Sequence, residues 1–174
     1  PTPAGHAADP HRATATPIYQ TATFRQREAD HFDGFDYARS GNPTRAALEE
    51  QLACLERCKH AFVFASGLAA LSAACSPLSA GDEIVADTHL YGGTFRFFSR
   101  ILPRRGITVR YADATDPAAL DAAITDRTRL VHIETPTNPT WKIVDIAAAA
   151  RIAHTRGALL SVDNTALSPY LQNP

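Results

Sequence analysis

The sequence predicts an α/β fold, a mostly parallel sheet layered with helices, and three observations lead there. Short apolar runs recur at 60–66, 82–87, 106–113, 129–135 and 158–164. The stretches between them space their apolar residues as helices do, as in "GLAALSAACSPL" and "PAALDAAI". Helix signals stand at the joints: Asp116 before Pro117, Asp145 before "IAAAARIAHTR", and Gly157 after it. Apolar runs without strict alternation suit strands covered on both faces, the usual condition of parallel strands.

Residues 1–15 are rich in Pro, Ala and His without periodicity, and read as an irregular arm. "PIYQTATF" (17–24) alternates loosely and reads as an extended segment lying against a neighbour. In "PTRAALEEQLACLERC" (43–58), Leu48, Leu52 and Leu55 share one helical face, and Pro43 sits where a missing N–H costs little. Four strand–helix units and a fifth strand follow: strand "HAFVFAS" and helix 67–78; strand "DEIVAD" and the helix of "GGTFRFFSRILPRR", expected to stop at Pro103; strand "GITVRYAD" and helix 117–124; strand "RLVHIET" and helix 146–156; then strand "ALLSVDN".

Composition narrows the partners. The chain of 174 residues is 45% hydrophobic and 20% charged, with a formal net charge of −1. That balance describes a globular protein and argues against nucleic acid or an anionic membrane as the main partner. Cys54, Cys58 and Cys75 make an odd count that fits reduced thiols in the cytoplasm. Cys54 and Cys58 share a helical face without completing a zinc spacing, so they read as packing residues, and no metal site is expected. No signal pattern opens the chain. Residues 61–81 carry no charge, but their serines and alanines make them buried strand, turn and helix rather than a lipid span.

In open α/β sheets, ligands sit beyond the C-terminal strand ends. Ser66–Gly67, Asp87 to Tyr91, Glu134 to Asn138, and Asp163 all fall there. Ser66 and Gly67, between strand and helix, suit a phosphate on free helix amides, or simply close packing. Neither nucleotide-binding glycine fingerprint is present. Tyr37 and Arg39 in "YARSGNPTR" could hold a dianionic phosphate or form a surface pair. Tyr91, before two glycines, could stack on a planar ring or fill the core, and Arg96 further on could reach a carboxylate or stay solvated. "IETPTNPT" sets Asn138 in a proline-stiffened loop. Asp163, at the end of a buried strand, needs a cationic or N–H partner to stay ionised, or serves as a helix cap. His89 and His132 could act as bases, but neither has the nucleophile and orienting group of a hydrolase triad.

Together "PIYQTATF", "YARSGNPTR", "FASGLAA", "YGGTFR", "ETPTNP" and "VDNTALSPYLQ" stand in the order and spacing of one family. From about Pro17 onward the chain resembles the pyridoxal-phosphate (PLP) enzymes of cysteine and methionine metabolism, the cystathionine γ-lyases, γ-synthases and homoserine sulfhydrylases. The resemblance implies an incomplete fold-type-I, aspartate-aminotransferase-like large domain. Residues 1–42 would be an arm contacting a neighbouring subunit, residues 43–174 the first part of the PLP-binding domain, and the C-terminal domain would be absent. It implies that Gly67 and Leu68 give amides to the cofactor phosphate, and that Tyr37 and Arg39 reach the phosphate of a neighbouring subunit. Tyr91 would stack on the ring and assist proton transfer, and Asn138 would sit near the ring oxygen. Asp163 would pair with the ring nitrogen, Thr165 would line the pocket, and Arg96 would lie near the substrate.

By the same resemblance the protein is a cytoplasmic homotetramer, a dimer of dimers with shared sites, that breaks a C–S bond in a small amino acid. A γ-replacement synthase or sulfhydrylase of the same family is the alternative. Three departures stand out: Ala38 where serine is commoner, Ala166 in place of the usual phenylalanine, and no match to the lysine that holds the cofactor covalently. Lys59 and Lys142, the only lysines, lie in other contexts. That absence leaves open a non-catalytic scaffold.

Overall fold

The computed structural model describes residues 13–29, 31 and 34–174. The part of the irregular arm at 1–12 lies outside them. The chain divides into two units, residues 1–63 and 64–174.

In the first unit, helix α1 (Pro43–Leu55) starts where the Asn42 side chain accepts from the amides of Thr44 and Arg45. Such a cap contributes about 1 kcal/mol. Asn42 also donates to the Tyr19 carbonyl, and the Thr44 hydroxyl donates to the Pro17 carbonyl, so the helix start holds the extended segment. That segment pairs within its own chain: Phe24 N–H donates to Asp36 O at 2.8 Å and Ala38 N–H to Ala22 O at 2.9 Å. Phe24 packs its ring against Phe35. The leucine face read from the sequence is barely covered: Leu48 and Leu55 are exposed, and only Ala47 of α1 is buried.

The second unit holds a four-stranded, all-parallel sheet in the order β2-β1-β3-β4. Its strands are β1 (Glu83–Asp87), β2 (Thr108–Ala112), β3 (Thr128–Glu134) and β4 (Leu159–Asp163). The run at 60–66, expected to be a fifth strand, makes no ladder, and Phe62 and Phe64 stay exposed. Its local pattern is strand-like, but a strand exists only with a hydrogen-bonding partner. The expected helices are found as α2 (Gly67–Ala74), α3 (Gly92–Arg96), α4 (Pro117–Ala123) and α5 (Ile146–Thr155), with a short α6 (Ser168–Leu171) after β4. Asp116 and Asp145 cap α4 and α5 as read, and Gly157 closes α5 at φ +74°. The helix after α3 does not stop before Pro103; it widens into a π-helical turn at Phe97–Ile101 and tightens into a 3₁₀ turn at Leu102–Arg105. Pro103 falls at the start of that last turn, where its missing N–H is harmless.

β1 and β3 are central and covered on both sides. On one face Val85, Val131 and Ile133 pack with Leu120, Ile124, Ala149 and Ala153 of α4, its end and α5. On the other, Ile84, Ala86 and Leu130 meet Phe98, Leu102 and Cys75. Burying a side chain such as Phe98 contributes about 3 kcal/mol. Cys75, not Cys54 or Cys58, is the packing cysteine: it is fully buried, which pushes its thiol up to about 11, while the other two are exposed. None of the described helices is long and apolar enough to cross a membrane.

Candidate active site

Alternation along the strands decides which side chains meet at the sheet's C-terminal edge. Val131 and Ile133 turn to one face, so His132 and Glu134 turn to the other. In the register of β3 and β4, His132 lies beside Ser161 and Glu134 beside Asp163. The His132 Nδ1 and Ser161 Oγ atoms, 3.1 Å apart, show that both side chains share that face.

Asp163 ends β4 and is partly buried. Thr165 donates to it twice, from the amide at 3.0 Å and the hydroxyl at 2.6 Å, both times to Oδ1. No arginine or lysine lies within ion-pair distance of Asp163 among the described residues. The loop after it is held by Gln172, whose amide donates to Asn164 Oδ1 at 2.9 Å and to the Thr135 carbonyl at 2.7 Å. Nothing local in the sequence marked Gln172 for that task.

Glu134 is buried and carries the contact that sequence reading missed. Its Oε2 accepts from the Tyr91 amide at 2.6 Å and its Oε1 from the Asn138 amide at 2.7 Å. Burial, then the negative charges of Asp163 and Asp87, push its carboxyl above the usual range, against the two amide bonds. Asp87 is also fully buried; its Oδ1 accepts from the amides of His89 and Ala114, and its Oδ2 has no partner. His132 is 2% exposed, with its ring edge on Phe98 and Nε2 unpartnered. Burial lowers it to about 4, so at neutral pH it is a neutral imidazole and not an acid.

The other residues singled out from sequence are placed as follows. Gly67 and Leu68 open α2, where Ser66 caps the Ala69 amide and the first amides have no carbonyl one turn back. Tyr91 precedes α3 with its side chain half exposed, and a Cβ on Gly93 would run into its ring. Only glycine at 93 lets that ring fold over the helix start. Arg96 is exposed and curls back, its Nη1 3.5 Å from where a Cβ on Gly92 would stand. Asn138 is exposed beyond β3. Tyr37 and Arg39 lie in the first unit, where the guanidinium sits 4.3 Å from the tyrosine ring centroid.

The structure thus gathers Tyr91, Asn138, Asp163 and Thr165 around Glu134 and β3. Tyr37 and Arg39 belong to the first unit, where the guanidinium stacks on the tyrosine ring. Lys142 pairs with Asp113 at 3.3 Å. Asp87, His89 and Asp113 bring potential metal-binding atoms within 4.8 Å of one another. Within that group Lys142 already pairs with Asp113 and the Thr88 hydroxyl meets His89 Nδ1 at 3.0 Å, while Asp87 Oδ2 stays without a partner.

A family profile described as "Cys/Met metabolism PLP-dependent enzyme" matches residues 3–174. A Herpetosiphon aurantiacus protein named as a probable cystathionine gamma-synthase is 47% identical over 162 residues, covering 93% of this chain and 51% of that protein. Mouse cystathionine gamma-lyase is 48% identical over 164 residues, covering 94% of this chain and 41% of the relative. The crystal structure of cystathionine gamma-lyase from Lactobacillus plantarum complexed with L-serine superposes with a TM-score of 0.90 at 46% identity, over 93% of this chain and 42% of that one. The chain therefore spans about half, or less, of the length of these relatives.

Proposed function

The chain belongs to the Cys/Met metabolism PLP-dependent enzyme family, and from that premise we propose that it forms the cofactor-holding part of a C–S lyase. The substrate class is a cysteine- or homoserine-derived amino acid. The observation that carries the reading is the Asp163 carboxylate, held by Thr165 through one oxygen and lacking any Arg or Lys partner among the described residues. An acid so placed, beside a second buried acid, fits a cationic ring nitrogen.

The residues present fit PLP. Bound, PLP supplies an electron sink for charge developing at the substrate α-carbon. Asp163 would hold a proton at the ring nitrogen. The α2 amides of Gly67 and Leu68 would take the phosphate. Tyr91 would offer a flat aromatic face and a phenol that can move a proton. Asn138 would donate toward the ring oxygen, Arg96 would draw in the substrate carboxylate, and Thr165 would hold Asp163 in place. Neither Lys59 nor Lys142 matches the covalent lysine that the family resemblance implies.

Gamma-replacement transfer by a synthase is the second reading, favoured by the likeness to the probable cystathionine gamma-synthase. Tyr37 and Arg39 would complete the site of a neighbouring subunit in a homotetramer, a cytoplasmic enzyme whose exposed Cys54 and Cys58 stay reduced. The test is to incubate the full-length protein with PLP and cystathionine and to follow both thiol and ketoacid release. Elimination products identify the lyase, cystathionine formation from an activated homoserine identifies the synthase, and no visible absorbance from bound PLP rejects both.

A further inference from the structure

Glu134 has no role in the family resemblance set out above, yet it makes the shortest long-range hydrogen bond at the sheet's C-terminal edge. We infer that Glu134 is a positioning residue that ties the Tyr91 loop to the Asn138 loop across the end of β3, fixing the ring-face and ring-edge contacts relative to each other. The inference rests on the PLP reading, because Tyr91 and Asn138 matter to a ligand only if one lies between them.

Three features of the geometry carry it. First, each carboxylate oxygen serves a different loop: Oε2 takes the Tyr91 amide and Oε1 the Asn138 amide. Tyr91 is 43 residues away in the chain, so this is a tertiary tie and not local turn chemistry. Second, the tie suits few other side chains. Two diverging N–H groups need two acceptor oxygens, which glutamine does not have. Aspartate, one methylene shorter, would have to leave one of the two. Third, no side chain caps the start of α3 at Tyr91, so the Glu134 bond is what anchors that backbone at its N–H.

An acid kept only for folding would be expected beside cations, as Glu83 is at the other end of the sheet. Glu134 instead lies in register with a second acid, Asp163. That placement is unfavourable for the empty protein and favourable once a cation binds at Asp163.

The experiment uses the full-length protein freed of cofactor, with PLP itself as the probe. Affinity, the visible circular dichroism of the bound group, and the melting temperature without PLP are compared for wild type, Glu134→Gln and Asp163→Asn. Loss of one amide bond to a charged acceptor is expected to weaken PLP binding by about 10- to 100-fold in Glu134→Gln. It should also shrink or reshape the visible dichroism, because the ring is held at a changed angle. A purely structural residue would move the melting temperature and leave affinity and dichroism of the folded fraction as in wild type; that result overturns the inference while leaving the PLP reading intact. Failure of wild type to bind PLP overturns both. Should Glu134→Gln not fold, amide exchange on the wild type decides. Joint protection of the Tyr91 and Asn138 amides supports the tie, and exchange of either at the rate of an unprotected peptide refutes it.

Discussion

At the N-terminal end of the sheet, Glu83 is fully buried and accepts from Arg110 at 2.8 Å, Thr125 at 2.8 Å and Arg127 at 2.9 Å. At the C-terminal end, Asp87, Glu134 and Asp163 share one edge, with no arginine or lysine paired to them among the described residues. The arginine and threonine bonds hold Glu83 down at about 2, whereas burial and like charge push Glu134 up. On two strands adjacent in the sheet, β1 and β3, the same residue type is paired with arginines in one place and set beside a second acid in the other. A buried acid raised by burial and like charge, with no cation beside it, is a candidate for a place where a ligand supplies one.

The largest expected effect lies at the incomplete end. Asp163→Ala in the full-length enzyme should lower kcat/KM by about 10²- to 10³-fold, the size seen when a group that stabilises developing charge is removed. Its melting temperature should hold or rise, because one of three crowded acids is gone. A loss of stability in step with activity would erase the contrast between the two ends.

Glu83→Gln should do the reverse. Breaking a buried ion pair costs about 3–5 kcal/mol, and we expect the lower part of that range or slightly less, because the Arg110 and Arg127 side chains are 46% and 67% exposed. Urea unfolding measures the loss, and the folded fraction should bind PLP as wild type does.

A glycine at each end refines the comparison. Gly93→Ala would push the Tyr91 ring aside and should weaken PLP binding about tenfold, roughly the 1–3 kcal/mol cost of overpacking. Gly106 sits at φ +75° with its missing Cβ 2.8 Å from Ala80 Cβ. Gly106→Ala should lower stability by a similar amount and leave PLP affinity unchanged.

A further effect is expected in acid. His132 titrates near 4 when folded against an ordinary 6.5, so the unfolded chain binds more protons between those values and stability falls as pH drops through them. Glu83, lowered from 4.5 to about 2, adds a second loss between those values. Glu134, being raised, has the opposite sign: stability falls as pH rises above its ordinary 4.5. Melting temperatures across pH 7 to 3 should lose the first step in His132→Gln and the second in Glu83→Gln.

Much of the fold was legible because its signals are local. Pro43 stands in the first turn of α1, Asp116 and Pro117 open α4, Asp145 caps α5, and Gly157 adopts the left-handed turn that ends it. The apolar runs announce burial on two faces, which holds for the central β1 and β3 and not for the edge strands β2 and β4. The run at 60–66 looks the same, but no strand pairs with it, and pairing is not written in seven adjacent residues. Cys54 and Cys58 were misread because α1 ends at Leu55, so Cys58 lies past the helix and the two share no helical face. Asp163 and Tyr91 could be placed at the sheet's C-terminal edge from their positions after a strand and before a glycine pair. Glu134 could be placed at the right edge but not joined to Tyr91, because that bond spans 43 residues. The Gln172 clamp on Thr135, 37 residues away, was hidden likewise.

On the PLP reading proposed above, the acids at the C-terminal edge await a cationic partner that the cofactor's ring nitrogen brings. Thermal unfolding of the cofactor-free full-length protein, wild type against Asp163→Asn, with and without PLP, tests it most directly. At a hundredfold excess over Kd, PLP should add about 2.7 kcal/mol to the wild type. Asp163→Asn should begin as stable or more so and gain little at the same PLP concentration. Equal stabilisation of both proteins would contradict the account.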